Sequence, residues 1–346
     1  MMQPFVTVIM PIRNEAAFIE RSLGAVLAQD YPSDRLEVLV VDGMSNDQTR
    51  TLVQRFIDQQ ATSGHTSRPR ITLLDNPGQI VPCAFNIGLR YAEGAIIVRV
   101  DGHCEIAPDY VSCCVATLAT TGADNVGGLI RSVSHGVIGH AIAMATSSPF
   151  GVGNARFHYA TQAGWADTVY LGAYRREVFE RIGGFDEELG RNQGDEFNFR
   201  LTQHGGRIWL NPTIRSTYYS RTSLRKLWRQ YFQYGFYKVR VIQKRNAVAS
   251  WCHLIPATFV LSLVVSILLA LISLLALSAA GSYALANTGA SVWVSRRDPL
   301  HIPLIALVFL VLHVAYGLGF LRGFWHWSRR PIVPTQVLDI PKECVA

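Results

Sequence analysis

Short apolar runs alternate with segments of helical spacing over the first hundred residues. Each apolar run has the length of a strand, and the runs cover residues 6–10, 36–41, 71–74 and 95–100. Between them, apolar residues recur every three or four positions, as in helices with one buried face, over 16–28, 49–56 and 81–91. Strands that are apolar throughout and separated by helices predict a mostly parallel sheet covered on both faces, and therefore an α/β domain.

A second pattern begins near residue 250. No Asp, Glu, Lys or Arg occurs between Ser250 and Ser295, and residues 254–280 are dominated by Leu, Val, Ile and Ala. Another uncharged run covers 302–321. A bilayer core about 30 Å thick is crossed by about 20 such residues in a helix. We predict two transmembrane helices, although a pair of buried core helices or a re-entrant hairpin would produce the same pattern.

Charge is unevenly distributed along the 346 residues, although the formal net charge is only +7. Residues 1–196 carry 15 basic and 22 acidic side chains, whereas 197–245 carry 11 basic and no acidic ones. Basic residues before the first apolar run and after the second predict that both outer flanks are cytosolic. Because the N-terminus lacks the pattern of a signal peptide, we predict a multi-pass inner-membrane protein with its N-terminal domain and both termini in the cytosol.

Four regions follow from these patterns: an α/β domain over 1–215, a basic and aromatic interfacial segment over 216–250, a transmembrane hairpin over 251–330 and a cytosolic tail over 331–346. Aromatic residues of the basic segment, such as Trp228 and Tyr231, suit lipid headgroups better than bases. We therefore expect membrane lipids as partners and no nucleic acid. No C-x-x-C pair occurs among the cysteines of the α/β domain, which we interpret as reduced, buried small residues: Cys83, Cys104, Cys113 and Cys114.

Polar side chains follow the predicted strands at the edge where such sheets bind ligands. Glu15 follows the first strand, Asp42 the second, and Asp101 and His103 the fourth. Neither a G-x-G-x-x-G after the first strand nor a P-loop motif is present, which disfavours both kinds of nucleotide site. Carboxylates can instead bind ribose hydroxyls, a base or a divalent cation. Asp101 and His103 could reach one ion, and oxygen plus imidazole suits Mn²⁺ better than Ca²⁺. Asp47 could equally cap a helix.

Four segments together resemble the family 2 glycosyltransferases of the GT-A fold, and in particular the membrane-associated group that includes the succinoglycan-biosynthesis glucosyltransferase. They are VTVIMPIRNE at 6–15, VVDGMSNDQT at 40–49, NPGQIVPCAFNIGLRYAEGAIIVRVDGH at 76–103 and LGAYRREVFERIGGFDE at 171–187. The combination is specific, although each piece alone is modest. The resemblance implies a nucleotide-sugar donor and a lipid-linked or polyprenyl-linked acceptor, with other polysaccharide-assembly proteins as further partners.

The resemblance also implies which residues bind the donor. Asp42 matches the acidic residue that reads the base, usually uracil, and Asp101 and His103 match the D-x-D position that holds Mn²⁺ or Mg²⁺ on the diphosphate. A structural, hydrogen-bonding role is the alternative for His103. The remaining donor positions are Pro11, Asn14, Glu15, Asn86 and Gly88.

The acceptor side and the catalytic base are implied less directly. Gly172, Arg175 and Asp186 match the segment that faces the acceptor, although Asp186 could instead cap a turn. The family usually places Glu-Asp seven and six residues before an Arg, and counting back from Arg200 those positions are Gln193 and Gly194. Carboxylates follow at once, so we interpret Asp195 as the base and Glu196 as the second choice. Loss of the base, giving a pseudoenzyme, is the alternative.

The segment QYFQY at 230–234 resembles the Q-x-x-R-W motif of membrane-bound family members. Gln230 is retained and is expected at the donor, whereas Arg is replaced by Gln233 and Trp by Tyr234. An interfacial helix with inserted aromatic residues accounts for the segment equally well. Taken together, the sequence predicts an inverting glycosyltransferase that moves a sugar from a nucleoside diphosphate, UDP in the first instance, to a lipid-linked saccharide at the cytosolic membrane face. The alternative is a non-catalytic membrane scaffold that binds donor.

Overall fold

The computed structural model describes residues 3–63, 69–296 and 298–334, which form two compact units. Unit 1 contains the chain up to Arg131 and residues 160–218, and unit 2 contains residues 132–159 and 219–334. In chain order the elements are β1 Val6–Ile12, α1 Ile19–Leu27, β2 Leu36–Asp42, α2 Thr49–Ser63, β3 Arg70–Asp75, α3 Val81–Tyr91, β4 Ile96–Arg99, β5 Cys104–Ile106, α4 Tyr110–Thr121, β6 Asn125–Val133, α5 Gly136–Thr146, α6 Pro149–Val152, β7 Gly164–Trp165, β8 Tyr170–Arg175, α7 Arg176–Ile182, α8 Gln193–Gln203, β9 Ile208–Tyr219, α9 Leu224–Arg245, α10 Ile255–Leu269, α11 Ser278–Val294 and α12 Ile302–Trp327.

The α/β class predicted for the first hundred residues is confirmed. The four predicted strands form β1 to β4 and the three predicted helices form α1 to α3. All seven residues of β1 and all seven of β2 are buried, as the apolar runs predict for strands covered on both faces.

Unit 1 is built on one nine-stranded sheet in the order β3-β2-β1-β4-β8-β6-β9-β5, with β7 paired to β9. The first four strands of this order are parallel. Beyond β4, strand β8 pairs antiparallel with both β4 and β6, and β9 pairs antiparallel with both β5 and β7. The sheet is therefore mixed, and its parallel half is the part that the apolar runs predicted. In the parallel half Ile12 lies opposite Asp42, and Asp42 lies opposite Asp75, so the carboxyl ends of these strands share one edge.

An aromatic cluster joins the helices that flank this edge. The ring of Phe85 on α3 lies 4.6 Å, edge to face, from the ring of Phe185, and Phe185 stacks on Phe197 of α8 at 4.7 Å between ring centroids. Phe179 of α7 lies 5.1 Å from Phe197. Such pairs stabilise the fold beyond the area they bury. The cluster therefore fixes α8, and with it the start of that helix, against the rest of unit 1.

Within unit 2, helices α9 and α12 approach very closely at glycines. A Cβ atom at Gly235 of α9 would lie 2.0 Å from the carbonyl oxygen of Tyr316, and one at Gly319 of α12 would lie 2.0 Å from that of Phe232. A Cβ at Gly323 of α12 would lie 2.5 Å from the carbonyl oxygen of Phe236. Only glycine permits this approach. The α9 helix is therefore packed along α12, a contact that the interpretation as an interfacial segment did not predict.

The apolar tail contains two candidate membrane spans, as predicted, but the first ends earlier than the apolar run does. The run at 254–280 does not form one helix: α10 ends at Leu269, and α11 begins at Ser278 and extends into the predicted connector. A serine marks the break, since Ser273 Oγ accepts a hydrogen bond from the backbone N–H of Leu275. Two helices, Trp251–Leu269 and Pro299–Trp327, are long and apolar enough to cross a bilayer. Between α10 and α11, Leu271 and Leu275 are 87% and 84% exposed.

Candidate functional site

The site is assembled at the carboxyl edge of the parallel strands in unit 1, around the turn that follows β4. The backbone N–H of Cys104 donates to the carbonyl of Asp101 at 3.0 Å, which closes a turn that contains both Asp101 and His103. Gly102 lies between them without room for a side chain, because a Cβ there would lie 2.9 Å from Ile12 Cγ2 and 3.0 Å from Glu15 Cγ. The local chain therefore requires glycine at this position.

Arg99 holds the carboxylate of Asp101. Its Nε donates to Oδ1 at 2.8 Å and its Nη2 donates to Oδ2 at 3.2 Å. Burial would raise the pKa of Asp101, but the charge and hydrogen bonds of Arg99 outweigh burial and lower that pKa. Asp101 is therefore an ionised carboxylate, and its side chain is 15% exposed.

The imidazole of His103 pairs with Glu15. Nδ1 lies 2.8 Å from Glu15 Oε1, and the ring meets Tyr218 edge to face at 5.3 Å between centroids. The His103 side chain is 24% exposed. Within the described part of the chain, no group of three or more His, Cys, Asp or Glu residues could hold a metal ion. The donor set of Asp101 and His103, one carboxylate and one imidazole, is of the kind that Mg²⁺ or Mn²⁺ accepts.

The segment after β1 is tied to the loop after β2. The backbone N–H of Asn14 donates to Ser45 Oγ at 2.9 Å, and Asn14 Oδ1 accepts from the N–H of Asn46 at 2.9 Å. Asn14 has a positive φ of 54°, which Asn tolerates better than most residues. Asp47 accepts from the N–H of Thr49, where α2 begins, at 2.9 Å and from the N–H of Ala16, in the segment after β1, at 3.2 Å. Pro11 is buried within β1.

Asp42 is fully buried at the end of β2 and is already engaged. Its carboxylate accepts from the backbone N–H and hydroxyl of Ser45 and from Arg50 Nη1 at 2.8 Å. The same nitrogen of Arg50 donates to Asp75 Oδ1 at 2.7 Å. The Asp42 carboxylate, which the resemblance assigns to the nucleobase of the donor, is therefore already paired with the Arg50 guanidinium.

Helix α8 begins beside the Arg99–Asp101 pair. A Cβ at Gly194 would lie 3.6 Å from Arg99 Nη1, so the first turn of α8 faces the turn that carries Asp101. Asp195, in that first turn, is partly exposed. Glu196 is fully buried, and both of its oxygens accept from Arg200, at 3.1 and 3.2 Å. The two candidate bases thus occupy different environments, one near the site and one in the core.

The glycosyl transferase family 2 model matches residues 7–183, which contain β1 to β4 and the turn with Asp101 and His103. The chain belongs to glycosyl transferase family 2. It is 30% identical over 327 residues to the succinoglycan biosynthesis protein ExoA of Rhizobium meliloti, an alignment that covers 93% of this chain and 96% of ExoA.

Two further proteins extend the comparison. The dolichyl N-acetyl-alpha-D-glucosaminyl phosphate 3-beta-D-2,3-diacetamido-2,3-dideoxy-beta-D-glucuronosyltransferase of Methanococcus voltae is 28% identical over 328 residues, which are 92% of this chain and 97% of that protein. The mannosyltransferase PcManGT from Pyrobaculum calidifontis, solved in complex with GDP-Man and Mn²⁺, superposes with a TM-score of 0.61 at 22% identity over 95% of this chain and 89% of its own. That likeness supports the GT-A fold.

Several residues that the family resemblance assigns to donor and acceptor are engaged with the protein itself. Asn86 is buried, and its amide binds both the N–H and the carbonyl of Phe185, each at 2.8 Å. Asp186 is buried, and its Oδ1 accepts from the N–H of Glu188 at 3.0 Å, as expected of a turn cap. Arg175 donates to the carbonyls of Ala123 and Leu118 at the end of α4. These three side chains hold the framework around the site.

Gly172 and Gln230 are also placed by the structure of this family 2 chain. A Cβ at Gly172 would lie 2.5 Å from Asn125 Oδ1, so only glycine leaves room for the Asn125 side chain. Gln230 belongs to unit 2, where its Oε1 accepts from Arg221 Nε at 3.2 Å and its Nε2 donates to Tyr234 Oη at 2.7 Å. Its assignment to the donor stays a prediction.

Sequence reasoning missed two cationic residues of the site, Arg99 and Arg50. Arg99 lies in an otherwise apolar strand, two residues before Asp101. A charged residue inside a buried strand is seldom found without a partner, so this position was a readable signal. Arg50 gave no such signal, because it looks like any polar residue on the surface of a helix.

Proposed function

We propose that the chain is an inverting, metal-dependent glycosyltransferase that moves a sugar from a nucleoside diphosphate, UDP in the first instance, to a lipid-linked saccharide. The observation that carries the proposal is the meeting of the Asp101–His103 turn with the start of α8, through Arg99, in a member of glycosyl transferase family 2. The proposed setting is exopolysaccharide or glycolipid synthesis at the cytosolic membrane face. The names of ExoA and of the dolichyl-phosphate-dependent relative support that setting.

The proposed reaction is a single displacement. The Asp195 carboxylate takes the proton of the acceptor hydroxyl, the hydroxyl oxygen forms a bond to the anomeric carbon, and the bond from that carbon to the diphosphate oxygen breaks. Attack opposite to the leaving group inverts the configuration. A divalent cation held by Asp101 and His103 would neutralise negative charge on the leaving diphosphate. Arg99 keeps the Asp101 carboxylate in place for that role.

The environments of the two acidic residues favour Asp195 over Glu196 as the base. A base must reach the acceptor hydroxyl, directly or through one water. Glu196 is fully buried, and both of its oxygens accept hydrogen bonds from Arg200, whereas Asp195 is partly exposed in the first turn of α8. Asp195 lies one residue later than the usual family position and leaves the helix about 100° further around its axis, so its role as the base requires a small local shift at the start of α8.

Membrane association is the second part of the proposal. The uncovered leucines between α10 and α11 and the two long apolar helices support insertion into lipid. The exposed basic residues of α9, Arg225, Lys226 and Arg229, would face anionic headgroups, whereas Lys238 and Arg240 are buried. A protein held at the membrane shares the bilayer with a lipid-linked acceptor, which is the reason for proposing that class of acceptor. Other proteins of polysaccharide assembly are proposed as partners in the same membrane.

One observation favours a second function, a donor-binding scaffold without transfer. Gly194 replaces the acidic residue that the family usually carries there. A scaffold would bind the nucleotide sugar through the β1 to β4 edge and release it unchanged, and its behaviour would not depend on Asp195.

The test uses the full chain in detergent with extracted membrane lipids, Mn²⁺ and radiolabelled UDP-glucose, UDP-N-acetylglucosamine or GDP-mannose. We expect label in the lipid phase with one donor, and loss of that label in Asp101→Ala and Asp195→Asn. Asp34→Asn, an exposed carboxylate away from the site, is the matched control and should retain transfer. Donor binding without transfer, unchanged by Asp195→Asn, would instead support the scaffold. Binding of no donor would refute both.

A further inference from the structure

We propose that Glu15 is a positioning residue that orients His103 toward the cation. The inference rests on the proposed metal-dependent function and deepens it. The family resemblance places Glu15 among the residues that bind the donor, but in the structure its carboxylate is used on the protein, against the imidazole of His103 at 2.8 Å.

The nitrogen that Glu15 holds decides which nitrogen remains for a metal. Glu15 Oε1 faces Nδ1 of His103, and a carboxylate only accepts, so Nδ1 carries the hydrogen and in the neutral imidazole Nε2 keeps its lone pair. Histidine ligands of metals very commonly donate their other N–H to a carboxylate, which fixes the ring and its tautomer. The edge-on contact with Tyr218 limits rotation of the same ring. His103 therefore presents Nε2 in one orientation on the side away from Glu15.

Glu15 is itself held on three sides. Its backbone N–H donates to Thr49 Oγ1 at 2.8 Å, and its carbonyl accepts from the N–H groups of Phe18 and Ile19, both at 2.8 Å. Its side-chain stem lies across Gly102, where a Cβ would come within 3.0 Å of Glu15 Cγ. The glycine between the two metal-ligand candidates thus makes room for the residue that orients one of them.

The two candidate ligands are supported in parallel. Arg99 fixes Asp101 through two hydrogen bonds, and Glu15 fixes His103 through one. All four side chains are mostly buried, at the edge where β1 and β4 end side by side. Removal of such an outer partner commonly weakens metal binding by about 10- to 100-fold. We expect Glu15→Ala to lower Mn²⁺ affinity within this range while His103 is still present.

The experiment measures Mn²⁺ binding to the full chain in detergent by electron paramagnetic resonance, with and without UDP, and follows the nitrogen coupling of a bound imidazole. Glu15→Ala should weaken binding and remove the nitrogen coupling. Glu15→Gln should largely retain both, because its amide oxygen can still accept from Nδ1–H. Gly102→Ala, which displaces the Glu15 stem and leaves all charges unchanged, should behave as Glu15→Ala does. Glu20→Ala, an exposed glutamate on α1, is the control and should change nothing.

A double-variant cycle separates orientation of His103 from contact with the donor. If Glu15 acts through His103, Glu15→Ala adds no further loss of Mn²⁺ affinity to His103→Ala, and UDP binding without metal is unchanged. If Glu15→Ala weakens metal-free UDP binding and leaves Mn²⁺ affinity intact, Glu15 is a donor residue and the inference is wrong. That outcome leaves the proposed transfer standing, because transfer is measured separately. Unchanged Mn²⁺ affinity in His103→Ala would also overturn the inference.

Discussion

Replacing Glu196 and Asp195 by their amides should have opposite consequences, although the two residues are adjacent. Glu196 and Arg200 form a buried ion pair on α8, with nitrogen–oxygen distances of 3.1 and 3.2 Å and side chains 0% and 4% exposed. Glu196→Gln leaves the guanidinium in the core without a negative partner. Breaking such a pair on one side costs about 3–5 kcal/mol, a large fraction of the roughly 5–15 kcal/mol that keeps a domain folded.

Arg200 retains other contacts that limit the damage. It also donates to the backbone carbonyls of Ile182 and Gly184, and its guanidinium lies over the Phe197 ring at 5.1 Å. For a unit of this size, about 3–5 kcal/mol corresponds to a fall of about 6–20 °C in the unfolding midpoint. Asp195→Asn changes a partly exposed side chain, so its effect on stability should stay within about 0.5 kcal/mol. Its effect on kcat should be a loss of about 10²- to 10⁴-fold, as for removal of a general base.

The assay pairs thermal unfolding of the detergent-solubilised chain with transfer per folded molecule. Glu196→Gln should unfold early and, below its midpoint, transfer at close to the wild-type rate. Asp195→Asn should unfold as the wild type does and transfer hardly at all. A stable Glu196→Gln protein without activity, beside an active Asp195→Asn protein, would refute the assignment of Asp195 as the base.

Three further outcomes are expected. Asn86→Ala leaves the buried N–H and carbonyl of Phe185 without their partner, which should cost about 1–3 kcal/mol for each group, and urea unfolding that matches the wild type would contradict this. Gly235→Ala forces α9 away from α12 and should lower the midpoint of thermal unfolding. The control Gly289→Ala, where the added Cβ faces open space, should leave the midpoint unchanged. Equal midpoints for the two variants would mean that α9 and α12 do not pack this closely. Burial, and then the charge of Glu187, raise the pKa of the Cys83 thiol to about 11. At pH 8, alkylation of Cys83 by iodoacetamide, followed by mass spectrometry, should therefore be about 100-fold slower than alkylation of an ordinary thiol. An ordinary rate would contradict that shift.

The half of the sheet that was predictable is the half whose strands are apolar throughout. Burial on both faces leaves a direct record in the sequence, so β1 to β4 could be located to within a few residues. The antiparallel half left a weaker record: β8 carries YLGAYR and β9 carries IWLNPTIRSTYY, in which polar and apolar residues mix. Pairing between strands far apart in sequence decides their place in the sheet, and no local pattern encodes that pairing.

The break between α10 and α11 could not be predicted because the apolar pattern is continuous across it. Between Ser250 and Ser295 no charged residue marks an end, so a single long helix and two shorter ones fit the same composition. The structure ends α10 at Leu269 and begins α11 at Ser278, around the serine cap at Ser273. Hydropathy located both candidate membrane spans, but it predicted neither the end of α10 nor the separate helix α11.

In the site, the sequence identified positions more readily than roles. Asp42, Asp101 and His103 were found because polar residues at strand ends share one edge of the sheet. Arg99 could have been predicted to need an acidic partner, because a charged residue in a buried strand is seldom unpaired. The contact between Glu15 and His103 could not be predicted, because it joins residues 88 positions apart. Asn86 likewise contacts Phe185 across 99 positions, a contact that no local pattern encodes, and its assignment to the donor stays a prediction.

The central claim is that the turn after β4 and the start of α8 form one site for nucleotide, cation and base. A structure of the full chain with Mn²⁺ and UDP measures this directly. The account predicts Mn²⁺ between the UDP phosphates and the side chains of Asp101 and His103, with the Asp195 carboxylate facing the space beyond the β-phosphate. UDP bound away from this turn, or Mn²⁺ bound without contact to either Asp101 or His103, would contradict it.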